Sequence, residues 1–295
     1  MKKKRLKKKQ FGRGAMFLLC LVFAVLFLLP TVLTVTNSFM SEAEINSNYG
    51  MIFSNQDAGY VSKTVNLKFI PDKVTLSQYL GGLIRSPEYL LKFWNSVILT
   101  APIVLLQTGV ACLTAYSFTR WRGKFRSFMF FLYIILMLMP YQVTLVPNYL
   151  VSDWLGLLNT RWSVILPGIF APFSVYLLTK LMRRIPYPVI EAAEVDGASE
   201  WEIFTKVCLP QCGSAIFSVV MLSFIDNWNM VEQPLILLQD EDLQPLSVFL
   251  SSINSGEIGM AFAMAVVYMV PSLLLFLYGE EYLTEGIVGS GSVKE

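Results

Sequence analysis

Ala15 to Thr36 run for twenty-two residues without a charged side chain, directly behind an arm in which seven of the first nine residues are Lys or Arg. Crossing ~30 Å of hydrocarbon takes about 20 mostly apolar residues in a helix. A basic segment flanking such a run stays on the cytoplasmic side. The arm therefore reads as a topology signal rather than as a nucleic-acid-binding surface. The run is longer than the apolar region of a secretory signal, and no small-residue cleavage site follows it, so it reads as a retained span.

Five more apolar runs follow, at about residues 95–118, 127–146, 162–179, 213–238 and 258–278. With 55% hydrophobic and 15% charged residues, against about 25% charged in soluble domains, much of the surface must be solvated by lipid. The expectation is an all-α membrane protein of six transmembrane helices. The intervening charges agree. Thr119–Arg126 carries four basic residues and no acid, and Lys180, Arg183 and Arg184 follow the fourth run, as cytoplasmic segments do. Gln239–Glu257 carries four acids and no base, as an outer loop can. Both termini are then cytoplasmic. The expected division is a basic arm (1–14), a first span (15–36), an extracytoplasmic segment (37–92), a five-helix core (93–285) and a short tail (286–295). In the segment 37–92, patterning supports only a short amphipathic helix over Leu76–Ile84. Pro140 and Pro147 close the third run, 148–161 reads as an outer loop that can carry an interfacial helix anchored by Tyr149 and Trp154, and Pro167 and Pro172 lie in the fourth run.

Several chemistries are excluded. There is no histidine, hence no His-based nucleophile system and no His-ligated zinc or haem. Cys20, Cys112, Cys208 and Cys212 read as small buried side chains, so no metal site is expected. There is no phosphate-cradling G-x-x-x-x-G-K-[ST] loop. The chain is expected neither to bind ATP nor to be an enzyme.

One segment between the fourth and fifth runs, 186–210, has its own logic. Pro188 suits the first turn of a helix, and Glu191 and Glu194 favour the positive end of its dipole. Ala192 and Ala193 are helix formers of little bulk. Gly197 suits the left-handed residue that ends a helix. Ser199 and Glu202 form the S-x-x-E box that opens a second one, which Pro210 is expected to end. The result is helix, tight turn, helix.

The pattern formed by Glu191, Ala192, Ala193, Asp196, Gly197, Ala198, Phe204, Val207, Leu209 and Pro210 resembles the EAA loop of ATP-binding-cassette importer permeases. Val207 stands where isoleucine is more usual. Its surroundings are most similar to the carbohydrate (maltose-type) branch. Asn95-Ser96, Pro140 to Pro147, Trp228-Asn229 and Pro234-Leu235 match as well, over about residues 80–285. The resemblance implies a type I (MetI-like) permease fold in the bacterial cytoplasmic membrane. It implies a second permease as partner, a cytosolic ATPase dimer that binds and hydrolyses the ATP, and an external solute-binding protein. The docking surface for the ATPase would be Glu191–Gly197.

Ionisable groups inside spans usually face a cavity or the bundle interior. Asp226, Asn227, Trp228, Asn229, Glu232 and Gln233 form one polar stretch in the fifth run. It reads either as a pathway wall with an aromatic platform for a sugar, or as a span that unwinds before Pro234 near the outer surface. Gln107, Thr108, Thr114 and Tyr116 are further candidates, for the pathway or for bonds between helices. The rival to an ATP-driven permease is a secondary transporter. That would show inverted repeats, which the sequence lacks, and would leave the EAA pattern unexplained.

Overall fold

The computed structural model describes residues 2–53, 66–252 and 258–288. The side chains of the basic arm, residues 54–65 of the extracytoplasmic segment and residues 289–295 of the expected tail lie outside the described residues. The described chain is helical throughout. Its elements are α1 (Lys2–Asn37), α2 (Glu42–Phe53), α3 (Ser77–Leu80), which continues as a π turn over Gly81–Arg85, and α4 (Pro87–Arg120). Next come α5 (Lys124–Met137), α6 (Tyr141–Trp154), α7 (Arg161–Gly168), α8 (Pro172–Met182) and α9 (Tyr187–Val195). Then α10 (Glu200–Glu202) passes through a π segment (Ile203–Cys208) into α11 (Leu209–Gln211). The last are α12 (Gly213–Trp228), α13 (Glu232–Leu237), a 3-10 turn (Glu241–Leu243), α14 (Leu246–Ser251) and α15 (Ile258–Val288).

By length and composition, four helices can cross a membrane: Met16–Asn37, Pro87–Arg120, Arg161–Met182 and Ile258–Tyr282. Two bent pairs, Lys124–Met137 with Tyr141–Trp154 and Glu200–Gln211 with Gly213–Trp228, raise the number to as many as six if each pair is one span. The third run, about 127–146, falls on α5 and α6 rather than on one rod, and the fifth, about 213–238, falls on α12 and α13. The chain turns by 101° between α5 and α6. Pro140 stands at that turn in extended backbone, where it lacks an N–H and its ring would clash with the preceding turn of a continued helix. The segment from residue 148, expected as an outer loop able to carry a helix anchored by Tyr149 and Trp154, is the second half of α6, which holds both residues. The fourth run is α7 and α8, parted at Ile169–Ala171 with Pro172 opening the second piece.

The chain divides into two compact units. The first holds residues up to Tyr89 together with Ser252–Tyr268. Met40, Ile45, Tyr49 and Ile258 are buried there, with Phe262 packed against them. Asn37 Nδ2 donates to Tyr49 Oη (3.0 Å), and Ser38 Oγ shares a hydrogen bond with Tyr79 Oη (2.7 Å). The expected small helix over 76–84 is α3 with its π turn. Gly82 lies there so close to Met260 and Met264 that a Cβ would meet their side chains at 2.7 and 2.5 Å. In α1 an 18-residue apolar stretch has no buried residue, as a helix surrounded by lipid or by another membrane subunit requires.

The second unit holds Leu90–Ser251 and the chain from Met269. Its main core joins Ala111, Ala115 and Phe118 of α4, Phe130 of α5, Val175 and Leu178 of α8, Phe204, and Ala215 and Val219 of α12. Within it α8 packs closely against α5 and against α12. A second cluster gathers Leu99, Ile103, Val164, Ile165, Leu237 and Leu238.

Candidate functional site

The segment 186–210 folds as its residue order dictates. Pro186 is extended and Pro188 sits in the first turn of α9. At the other end Gly197 adopts φ +83°. Its N–H bonds to the Glu194 carbonyl (3.0 Å), while the Ala198 N–H bonds to that of Ala193 (3.0 Å). This is the Schellman arrangement, which a residue with a Cβ enters only at a cost. Ser199 then caps α10. Its Oγ accepts from the Glu202 N–H (3.4 Å), and Glu202 Oε2 accepts from the Ser199 N–H (3.0 Å). Lys206, followed by the Ser199 N–H and hydroxyl, holds the Glu202 carboxylate down at about 2. Its contribution is present above the ordinary carboxylate value and lost only as pH falls through about 2. The cap therefore stays charged at every pH a cell meets. Replacing Ser199 with Ala is expected to cost about 1 kcal/mol. That would appear as a roughly fivefold rise in amide exchange of residues 200–206 in a hydrogen-exchange measurement.

The second helix does not end at Pro210 as expected. The π segment Ile203–Cys208 leads into α11, where Pro210 occupies the first turn, a position that needs no helical N–H. The break comes at Cys212, with a bend of 77° into α12.

The EAA residues divide by side. Ile190 is buried with Ile203 and Cys208, and Ala193, Ala198 and Val207 pack against that cluster. Phe204 is buried in the main core, 5.0 Å between ring centroids from Tyr116, and Leu209 packs on the same core. Glu191, Ala192, Asp196 and Gly197 are exposed, as is Pro210. Val195 is 87% exposed. The two alanines, expected to act together on the docking surface, therefore serve opposite faces. Ala193 lets α9 lie close to its own chain, and Ala192 leaves the outer face low.

Arg120, at the end of α4, joins both short helices. Its Nε and Nη2 reach the two carboxylate oxygens of Glu200 (3.2 and 2.6 Å), and Nη2 also pairs with Glu194. Tyr116, one turn earlier, donates to Glu200, whose carboxyl is lowered by Arg120 first and Tyr116 second. Arg122 lies over the Tyr187 ring, 5.1 Å from its centroid. The sequence presents Arg120 only as part of a basic loop. Its partners lie 74 and 80 residues away, and no local pattern marks them.

Farther along α4, Gln107 is buried and ties three helices together. Its Nε2 donates to Ser174 (3.1 Å) and Ser223 (2.9 Å), and its Oε1 accepts from Asn227 (3.4 Å). Thr100 donates to the Asn227 carbonyl (3.2 Å). Gln107 and Asn227 border a cleft of about 510 Å³ whose other polar walls are Tyr141, Thr144, Asn148, Asp226 and Gln233. Phe170 and Phe173 supply aromatic surface. Of the expected pathway residues, Asp226 and Asn227 line this cleft. Asn229 and Glu232 are exposed outside its lining. Trp228 is not a platform. It is 2% exposed, stacked on Phe224 (5.2 Å) and edge-on to Phe93 (5.8 Å). Trp228 stands two positions after Asp226, about 200° around the helix at 3.6 residues per turn, so it faces the core while Asp226 lines the cleft. The helix does stop there and resume at Glu232, the unwinding weighed as the alternative. Thr114 bonds within its own helix, and Thr108 Oγ1 is buried without a hydrogen-bond partner.

At the opposite end of α4, Asn95 is fully buried. It donates to the carbonyls of Asp242 (2.6 Å) and Gln244 (3.2 Å) and accepts from Arg161 (2.9 Å). Lys92 donates to the Glu241 carbonyl (2.9 Å), and Ser96 Oγ accepts from the Leu246 N–H (3.0 Å).

The described residues thus form a helical bundle with membrane-length apolar helices, a cleft of mixed polar and apolar walls, and a folded helix–turn–helix. The family described as "Binding-protein-dependent transport system inner membrane component" matches residues 107–280. The chain belongs to that family: it is an inner-membrane permease component of an ATP-binding-cassette transporter. The chain is similar to the arabinooligosaccharides transport system permease protein AraQ of Halalkalibacterium halodurans, with 28% identity over 77% of this chain and 82% of that one. It is also similar to the lactose transport system permease protein LacG of Rhizobium radiobacter (29%, over 76% and 84%). A third relative is the osmoprotective compounds uptake permease protein GgtD of Synechocystis (33%, over 72% and 74%). In fold it is similar to a chain in the crystal structure of a bacterial ABC transporter involved in the import of the acidic polysaccharide alginate. The TM-score is 0.76 at 21% identity, covering 94% of this chain and 97% of that one.

Proposed function

We propose that this chain forms one half of the translocation pathway of a sugar or oligosaccharide importer. A second permease supplies the other half, and an extracytoplasmic binding protein delivers the solute. A cytosolic ATPase dimer, which binds the ATP, docks on α9 through Glu191, Ala192, Val195, Asp196 and Gly197. Phe204, Leu209 and Pro210 belong to the supporting helix rather than to the contact. Both termini face the cytoplasm, and the cleft beside Asp226 and Asn227 is this subunit's share of the pathway.

The observation that carries the reading is the geometry of α9. It is capped at its C-terminal end, packed by Ile190 and Ala193 on one side, and open and low on the other. Such a ridge fits a groove on another protein. The named saccharide specificities of two relatives support the solute class. The polar cleft with two aromatic rings suits hydroxyl-rich solutes with apolar ring faces.

The test is purification of the tagged chain from its native membrane in mild detergent, with mass spectrometry of what accompanies it. A second permease, an ATPase and a binding protein that takes up saccharides are expected. Recovery of the chain alone or as a homodimer under several gentle conditions would overturn the assembly. A binding protein that ignores saccharides would overturn the solute class.

A further inference from the structure

We propose that Arg120 is the joint through which movement of the ATPase-facing loop reaches the pathway, with α4 as the connecting rod. This rests on the docking reading above. Four observations carry it.

Arg120 is the residue that grips both halves of the loop at once, Glu194 on α9 and Glu200 on α10. Its guanidinium meets the Glu200 carboxylate as a two-pronged fork, a geometry that fixes direction as well as distance. Its side chain is only 16% exposed, so the pair is screened less than a surface pair. Lastly, α4 runs unbroken from Pro87 to Arg120 despite Pro102 and carries the polar node of the cleft on the same rod. Gln107 stands thirteen positions before Arg120, about 20 Å along the helix at 1.5 Å per residue.

A displacement of α9 and α10 as a unit therefore pulls the end of α4 through Arg120. The rod carries it to Gln107, where α8 and α12 meet the cleft. The apolar contacts of the loop, Ile190, Ile203 and Phe204 among them, hold it against the bundle, and the Arg120 fork adds a fixed direction to that attachment. Arg120 is a positioning residue, and Lys is a poor substitute because one ammonium cannot form the fork.

The experiment uses the full complex purified from its native membrane and reconstituted in lipid nanodiscs. The chain carries Cys20→Ser and Thr144→Cys, which places a single accessible thiol in the cleft. Labelling at position 144 by a hydrophilic maleimide is timed with and without ATP and vanadate. Coupling free energies between sites usually correspond to about 5–150-fold, and an ATP-dependent change of that order is expected with native Arg120. Adding Arg120→Gln, and also Arg120→Lys, is expected to leave the ATPase bound and hydrolysing ATP. The labelling rate then becomes insensitive to nucleotide. An undiminished response in both variants would overturn the proposal. Loss of the ATPase from the Arg120→Gln complex would overturn it too, because Arg120 would then shape the docking surface instead of transmitting from it. Failure of the docking reading is read separately. An Ala192→Arg complex that keeps its ATPase refutes that reading whatever Arg120 does.

Discussion

Ala192→Arg is expected to abolish transport while leaving the chain inserted and folded. Ala192 is exposed on the open face of α9, between Glu191 and the almost fully exposed Val195. It makes none of the side-chain contacts that hold the helix down, which fall to Ile190 and Ala193, to Glu194 paired with Arg120, and to Tyr187 under Arg122. A long cation here alters nothing inside the chain. It does forbid close approach by a partner and buries an unpaired charge in the contact. Losing a central anchor of an interface costs about 2 kcal/mol or more, which is roughly thirtyfold in affinity. The check is the amount of ATPase co-purifying with equal amounts of chain, alongside solute uptake by cells. Ala193→Arg is the informative contrast. It faces inward against the π segment, so it should lower the yield of folded chain as well as the ATPase. If Ala192→Arg retains both ATPase and uptake, α9 is not the docking ridge.

Trp228→Ala is expected to destabilise the bundle by about 3–5 kcal/mol, the usual cost of emptying an aromatic core position. The indole is held between the Phe224 and Phe93 rings, and neither Asp226 nor Asn227 shares its surroundings on the cleft side. The measurement is the thermal midpoint of the purified chain in detergent, followed by tryptophan-independent labelling of buried thiols such as Cys112. Trp228→Phe should recover most of the loss. A variant that unfolds normally yet loses solute selectivity would return Trp228 to the pathway wall.

These two residues also mark how far the sequence could be read. Gly197, Ser199 and Glu202 are legible because caps are local. A left-handed residue and a reciprocal S-x-x-E box act within four or five positions, and the structure has both. The bend at Pro140 was visible as a break, but not its 101° turn, which depends on what α5 and α6 pack against. The burial of Trp228 was not legible because a polar stretch says nothing about which face of a helix each member occupies. The split between Ala192 and Ala193 has the same origin. Arg120 was invisible as a joint because its carboxylate partners are distant in sequence and only the folded loop brings them together.

The ties at the far end of α4 have a different kind of consequence. Lys92 and Asn95 hold the 240–244 turn by its carbonyl oxygens, not by its side chains. The fold therefore places few demands on the identity of Glu241 and Asp242, whose side chains remain exposed. Selection can rewrite that rim residue by residue without endangering the architecture beneath it. The outer face of that turn can therefore vary in charge and shape while the ties beneath it stay the same.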